Sequence, residues 1–221
     1  MSAAVDFERA RFNMVEQQIR PWDVLDQSVL DLLYTVHREE FVPQNHRALA
    51  LCDLEIPLGE EACERMWAPR VEARVLQELA VHKSEKVLEV GTGSGYLTAL
   101  LARRGLHVTS VDINARLTEM GRNNLRQARI DNVTLETGDA ARIWPGEYDV
   151  IVLTGSVHID PEEYLARLKP AGRLFAIVGD EPVMRARLFT RDQAGACSKR
   201  DLFETSFPAL KNAKQPERFR F

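Results

Sequence analysis

The chain has 221 residues, with 29 basic and 33 acidic side chains and a formal net charge of −4. Apolar residues make up 45% and charged residues 28%, enough apolar surface for a core and too much for a disordered chain. No apolar run reaches membrane-spanning length, the opening MSAAVDFERARF lacks a continuous apolar stretch, and the charge balance is mildly acidic, so a membrane span, a secretory leader and a dedicated nucleic-acid binder are all disfavoured.

Residues 4–35 carry apolar side chains at helical spacing. Val5, Phe12, Val15 and Ile19 form one set, Val29, Leu32, Leu33 and Val36 a second, with Pro21 between them. Residues 40–68 hold Pro43, Pro57 and Gly59 and show no period. Pro69 opens a third helix, where a missing N–H costs nothing, with Val71, Val75, Leu76 and Leu79 as its stripe. From residue 86 strands and helices alternate. Strands are expected at 86–90, 107–112, 132–137, 148–154 and 173–178. Helices are expected at 95–104, 114–128 and 160–168, the last with Asp160 as N-cap. This rhythm predicts a parallel, doubly wound sheet in a Rossmann-like α/β/α sandwich. Residues 185–191 and 199–207 read as a C-terminal hairpin at the sheet edge. The tail KNAKQPERFRF reads as a solvated end. Cys52, Cys63 and Cys197 are odd in number and lack zinc-ligand spacing, so free thiols and no metal centre are expected.

The informative stretch is Val87-Leu-Glu-Val-Gly-Thr-Gly-Ser-Gly-Tyr96. Three glycines follow a strand directly and precede a helix, where backbone N–H groups point at whatever binds. The dinucleotide fingerprint G-x-G-x-x-G/A fails, because its sixth place is Tyr96 or Thr98. A phosphate-binding loop fails for want of Gly-Lys-Ser/Thr. What stands is acid-x-G-x-G-x-G, with Glu89 two places before Gly91, which resembles the first motif of S-adenosylmethionine-dependent methyltransferases. A carboxylate suits a sulfonium and an ammonium there. Asp112 ends the second strand and can accept from two ribose hydroxyls. Asp139, after the third strand, can accept from an adenine amino group. The expected cofactor set is therefore Glu89, Gly91, Thr92, Gly93, Ser94, Gly95, Asp112, Ile113, Asp139 and Ala140. One domain is expected, divided into an N-terminal helical extension (1–82), a cofactor-binding core (83–179) and a hairpin with tail (180–221).

VLEVGTGSGYLTALLA resembles the signature of protein-L-isoaspartate O-methyltransferases. So do Met14-Val-Glu-Gln-Gln-Ile19, Arg38-Glu-Glu-Phe-Val-Pro43, Ile56-Pro-Leu-Gly59, Leu168-Lys-Pro-Ala-Gly-Arg-Leu174 and Phe207-Pro-Ala-Leu210. The resemblance runs from about residue 12 to 212. It implies a cytoplasmic enzyme, monomeric or weakly dimeric, that uses S-adenosylmethionine to methylate free carboxylates of isoaspartyl residues in damaged proteins or peptides, with no nucleic acid or membrane partner. The ester then collapses to a succinimide, which allows repair.

One segment departs from the family. Where its members carry Thr-Ile-Ser-Gln-Pro, this chain reads Arg65-Met66-Trp67-Ala68-Pro69. Trp67 stands in place of the serine whose hydroxyl the family associates with the substrate carboxylate. Arg65 and Trp67 are the candidates on the substrate side, through a forked guanidinium and a ring N–H. A carboxylate acceptor needs no general base, being ionised near neutrality; an alcohol or phenol usually needs one. His158 lies where such a base would stand. Two alternatives stay open: a methyltransferase with another small-molecule or protein acceptor, and a non-catalytic protein that binds S-adenosylmethionine or S-adenosylhomocysteine.

Overall fold

The computed structural model describes residues 6–216; Val5 and the last five residues of the basic tail lie outside them. Helix α1 (Phe7–Asn13) starts at Asp6, whose carboxylate accepts from Arg9 N at 3.1 Å. The chain continues through a π-helical turn (Met14–Ile19) and a 3₁₀ turn (Arg20–Trp22) to Asp23, at φ 57°. Helix α2 (Gln27–Thr35) is capped by Asp26, which accepts from Ser28 N at 2.8 Å. Two short strands, β1 (Ile56–Pro57) and β2 (Arg65–Met66), pair antiparallel inside the stretch expected to be irregular. Two residues each are too few to show a period. Helix α3 (Pro69–Leu79) begins at the expected proline.

Among the described residues the sheet has seven strands: β3 (Lys86–Val90), β4 (His107–Asp112), β5 (Val133–Thr137), β6 (Tyr148–Val157), β7 (Leu168–Asp180), β8 (Val183–Arg191) and β9 (Cys197–Thr205). Their order is β5-β4-β3-β6-β7-β8-β9; β3 to β7 are parallel, and β8 and β9 antiparallel. The expected hairpin is β8–β9, with Gly195 at φ +91° in its turn and β9 at the edge.

Alternate residues of each strand enter different cores, as the pleat requires. Val87, Val108, Val150, Val152 and Phe175 join α3, α4 (Tyr96–Arg104), α5 (Ala115–Gln127) and the N-terminal helices in one cluster. Leu88, Val111, Ile151, Leu153 and Leu174 join Tyr164, Leu168 and Ala213 in the other. The second layer is thinner than expected. Helix α6 covers only Glu162–Leu165, its N-cap is Pro161, and Leu168 already belongs to β7. Asp160 is not the cap; its carboxylate accepts from Arg187 Nη1 (3.0 Å) and Lys199 Nζ (2.6 Å) of the hairpin. An anchoring role across the sheet edge has displaced the local capping bond. Strand β7 also absorbs the expected Pro170–Gly172 turn, with Ala171 at φ +62° and a register shift opposite Tyr148/Val150.

Strand order reverses at β3, which lies between β4 and β6. In an open α/β sheet, the crevice at the carboxyl ends of the strands beside such a reversal is where ligands sit.

Candidate active site

The loop Gly91–Gly95 fills that crevice, joining β3 to α4. Its glycines hold φ values of +101°, +53° and +82°, a region that side chains disfavour. At Gly91 a Cβ would stand 2.0 Å from Thr154 Oγ1, the hydroxyl that donates to Val90 O (2.8 Å) and Gly91 O (3.0 Å). Gly95 serves packing instead: a Cβ there would meet Gly121 Cα of α5 at 3.1 Å, and Gly95 does not line the cleft.

The cleft is lined by Gly91 and Gly93, Asp112 and Ile113, Asp139 and Ala140, and Arg65. A smaller cavity adjoins it, sharing Leu58, Arg65, Gly91, Gly93 and Thr154. Trp67, Glu89, Thr92 and Ser94 line this second cavity. The fold thus brings the expected cofactor and substrate residues, except Gly95, to these two adjoining cavities. Sequence reasoning missed Cys63 and Glu64, the Phe207–Lys211 segment, and Glu72 of α3. Glu64 directly precedes the departing Arg65–Pro69 segment, and nothing local marks it as the buried acid it becomes. The C-terminal segment carried a signal only as the Phe207-Pro-Ala-Leu210 resemblance, and its place at the cleft comes from the fold.

Each acid has a distinct setting. Asp112 is 6% exposed; Oδ2 accepts from Gly93 N and Oδ1 from Asn114 N, both at 2.9 Å. It closes the glycine loop onto β4 and keeps one lone pair per oxygen for a ligand. Burial pushes its pKa above the usual carboxylate value, with the Gly93 and Asn114 amides opposing. Glu64 accepts from Asn114 Nδ2 and from Arg116 Nη2 (3.1 Å). Asp139 is exposed and already bonded through both oxygens, to Ala141 N (3.1 Å) and Asn212 Nδ2 (2.8 Å). It therefore also ties the C-terminal segment to the cleft. Lys211 of the same segment lines the cleft and pairs with Glu61 at 2.6 Å.

Glu89 lies behind the loop, fully buried, where Oε2 accepts from Thr98 Oγ1 and Ser110 Oγ. Its Oε1 has no partner, and burial pushes its pKa up to about 8, against the two hydroxyl bonds. A carboxyl that keeps its proton longer when folded than its ordinary 4.5 makes the folded state bind more protons between those values. Stability then falls as pH rises from about 4.5 to about 8. Glu89→Gln is expected to flatten part of that decline, by up to a few kcal/mol at about 1.4 kcal/mol per pKa unit. Thermal unfolding of both proteins at pH 5 and pH 8 measures it; equal changes in Tm would remove Glu89 from the account.

Arg65 keeps 44% of its side chain exposed and pairs with Glu55 at 3.5 Å. Trp67 is 5% exposed, with its ring edge-to-face to Phe175 (5.8 Å) and Phe207 (5.9 Å) and its Nε1 unpartnered. It is core as much as site. His158, the base candidate, does not line the cleft. It bonds Asp180 through Nδ1 and Gln215 through Nε2 (2.7 Å), beside a separate surface hollow. Cys52, Cys63 and Cys197 are free thiols, as expected.

The family profile described as "Protein-L-isoaspartate(D-aspartate) O-methyltransferase (PCMT)" matches residues 9–215. Curated relatives named protein-L-isoaspartate O-methyltransferase include one from Methylorubrum extorquens, 34% identical over 93% of this chain and 90% of its own length. Another, from Koribacter versatilis, is 32% identical over 95% and 96%. A solved structure from Plasmodium falciparum, named for the same activity and holding S-adenosyl-L-homocysteine, superposes with a TM-score of 0.78 at 18% identity, over 94% of this chain and 99% of that one. A second of the same name gives 0.74 at 24% identity, over 91% and 65%. At those identities the two structures show the shared fold.

Proposed function

The chain belongs to the protein-L-isoaspartate(D-aspartate) O-methyltransferase family, and on that footing we infer that it is an S-adenosylmethionine-dependent enzyme methylating isoaspartyl carboxylates of proteins or peptides. The single observation that carries this reading is the hollow at the β3 switch point, bordered by positive-φ glycines, Asp112 and the unpartnered oxygen of Glu89. The residues fit the cofactor. Ile113, 40% exposed, offers an apolar surface for a base. Glu89 has an acceptor to spare for a cation.

When bound, S-adenosylmethionine supplies an electrophilic methyl group. The chain's own work is alignment and electrostatics. Asp112 orients Gly93 N–H and keeps lone pairs for ribose hydroxyls. Glu89 and Glu72 place buried carboxyls beside the loop, which a bound cation would draw toward their charged form. Arg65, bordering both cavities, holds the acceptor carboxylate from the open side, while Trp67 walls the pocket. No base is needed for a carboxylate, and the position of His158 away from the cleft agrees with that. The enzyme acts as a monomer or weak dimer in the cytoplasm and requires neither nucleic acid nor a membrane. Among the described residues no helix is long and apolar enough to cross one.

Incubation with an isoaspartyl peptide and methyl-labelled cofactor tests the reading; base-labile label on the peptide is expected. Trp67 favours a second reading, with another methyl acceptor, because an indole stands where the family places a hydroxyl. Unlabelled peptide with cofactor binding intact would move the function to that reading or to a non-catalytic binder. Asp112→Ala is expected to weaken S-adenosylhomocysteine binding by about 1–3 kcal/mol, two charge-assisted ribose bonds being lost. Calorimetric titration measures this, and unchanged affinity would take the ribose away from Asp112.

A further inference from the structure

The smaller cavity is bordered by two buried carboxyl side chains, and only one of them is paired with a cation. Glu89 reaches it fully buried, with Oε1 unpartnered. Glu72 reaches it from α3, outside the glycine loop and its flanking strands, and is 2% exposed. Glu72 Oε2 accepts from Arg38 Nε at 3.0 Å. That guanidinium is shared, since it also donates to Ala50 O and Trp67 O. Arg65 borders the cavity too, but is half outside it and paired with Glu55. Asp112 faces Glu89, and Tyr96 of α4 faces Glu72, with the Arg11–Glu39 pair beyond Tyr96.

We propose that Glu72 is a specificity-determining residue which, with Glu89, surrounds the sulfur end of the cleft with two carboxyls, so that the chain holds the cationic methyl donor more tightly than its neutral thioether product. This rests on the reading that the cleft holds S-adenosylmethionine. Donor and product share adenine, ribose and amino-acid end, so Asp112, Ile113 and the glycine loop bind both equally. They differ by one methyl group and one positive charge at sulfur. Only charge beside the sulfur separates them, and a poorly hydrated site strengthens that term. Burial pushes Glu72 to about 7 and Glu89 to about 8. An arriving cation draws these protons off; a neutral thioether leaves them in place. The product is then released because its charge has gone.

The test is calorimetric titration at pH 7.5 with three ligands: S-adenosylmethionine, S-adenosylhomocysteine and sinefungin, whose amine keeps a positive charge in place of the methylated sulfur. Both cationic ligands are expected to bind about tenfold more tightly than S-adenosylhomocysteine. Glu72→Gln keeps an amide oxygen for Arg38 and is expected to erase most of that preference, weakening the cationic ligands and sparing S-adenosylhomocysteine. If wild-type protein binds S-adenosylhomocysteine as tightly as the cationic ligands, the proposal falls without any variant. An undiminished preference in folded Glu72→Gln removes Glu72 from it. If none of the three ligands binds, the cofactor reading itself fails.

Discussion

Arg38→Met is expected to destabilise the fold by about 3–5 kcal/mol, read from urea or thermal unfolding. Arg38 is 1% exposed and binds a carboxylate and two main-chain carbonyls on three separate segments: Glu72 of α3, Ala50 and Trp67. Its guanidinium also lies 5.6 Å from the Tyr96 ring centroid. Methionine fills much of the same volume and supplies none of the donors, which leaves two carbonyls and a buried carboxyl unsatisfied. Glu72, which Arg38 pulls down from a still higher value, would then hold its proton well above neutrality. The double variant Arg38→Met/Glu72→Leu removes the orphaned acid and is expected to recover part of the loss. A single-variant loss below about 1 kcal/mol would mean that the network is poorly formed in solution.

Trp67→Ser is expected to cost about 3–5 kcal/mol of stability, the range for deleting a buried aromatic ring. The ring touches Phe175 of β7 and Phe207 of the C-terminal segment, both edge-to-face, so its removal loosens the cleft's far wall as well as the core. The same change introduces the hydroxyl that the resemblance leads one to expect at this position. Below the variant's unfolding temperature, isoaspartyl turnover per folded molecule is therefore expected to rise. Trp67→Phe provides the control: it keeps most of the packing, removes the unpartnered N–H and adds no hydroxyl. Were Trp67→Phe to raise turnover as much as Trp67→Ser, ring size or the indole N–H would be the limiting feature, and the hydroxyl irrelevant.

Much of this protein was legible in residue order because the signals are local. Tyr148–Thr154 is almost wholly apolar, and β6 is buried on both faces as such a run demands. Pro69 and Asn114 mark helix starts through backbone chemistry that operates within a few residues. The glycine loop and the acid ending the second strand pointed to a crevice because strand, turn and helix follow one another in sequence, and a crevice forms wherever that unit joins a parallel sheet.

What residue order left undecided depends on partners distant along the chain. Asp160 has the sequence of a cap, yet its carboxylate serves Arg187 and Lys199 on the hairpin. Trp67 reads as a substituted site residue until β7 and residue 207 close around it. Glu72 reads as a polar position on an amphipathic helix, and becomes a buried acid only when Arg38 and Glu89 meet it. Periodicity determined which side chains turn inward; the tertiary structure decided which charges end up facing one another. The reason is physical: apolar burial follows the local repeat, whereas the strength of a charge depends on how completely distant segments exclude water from it.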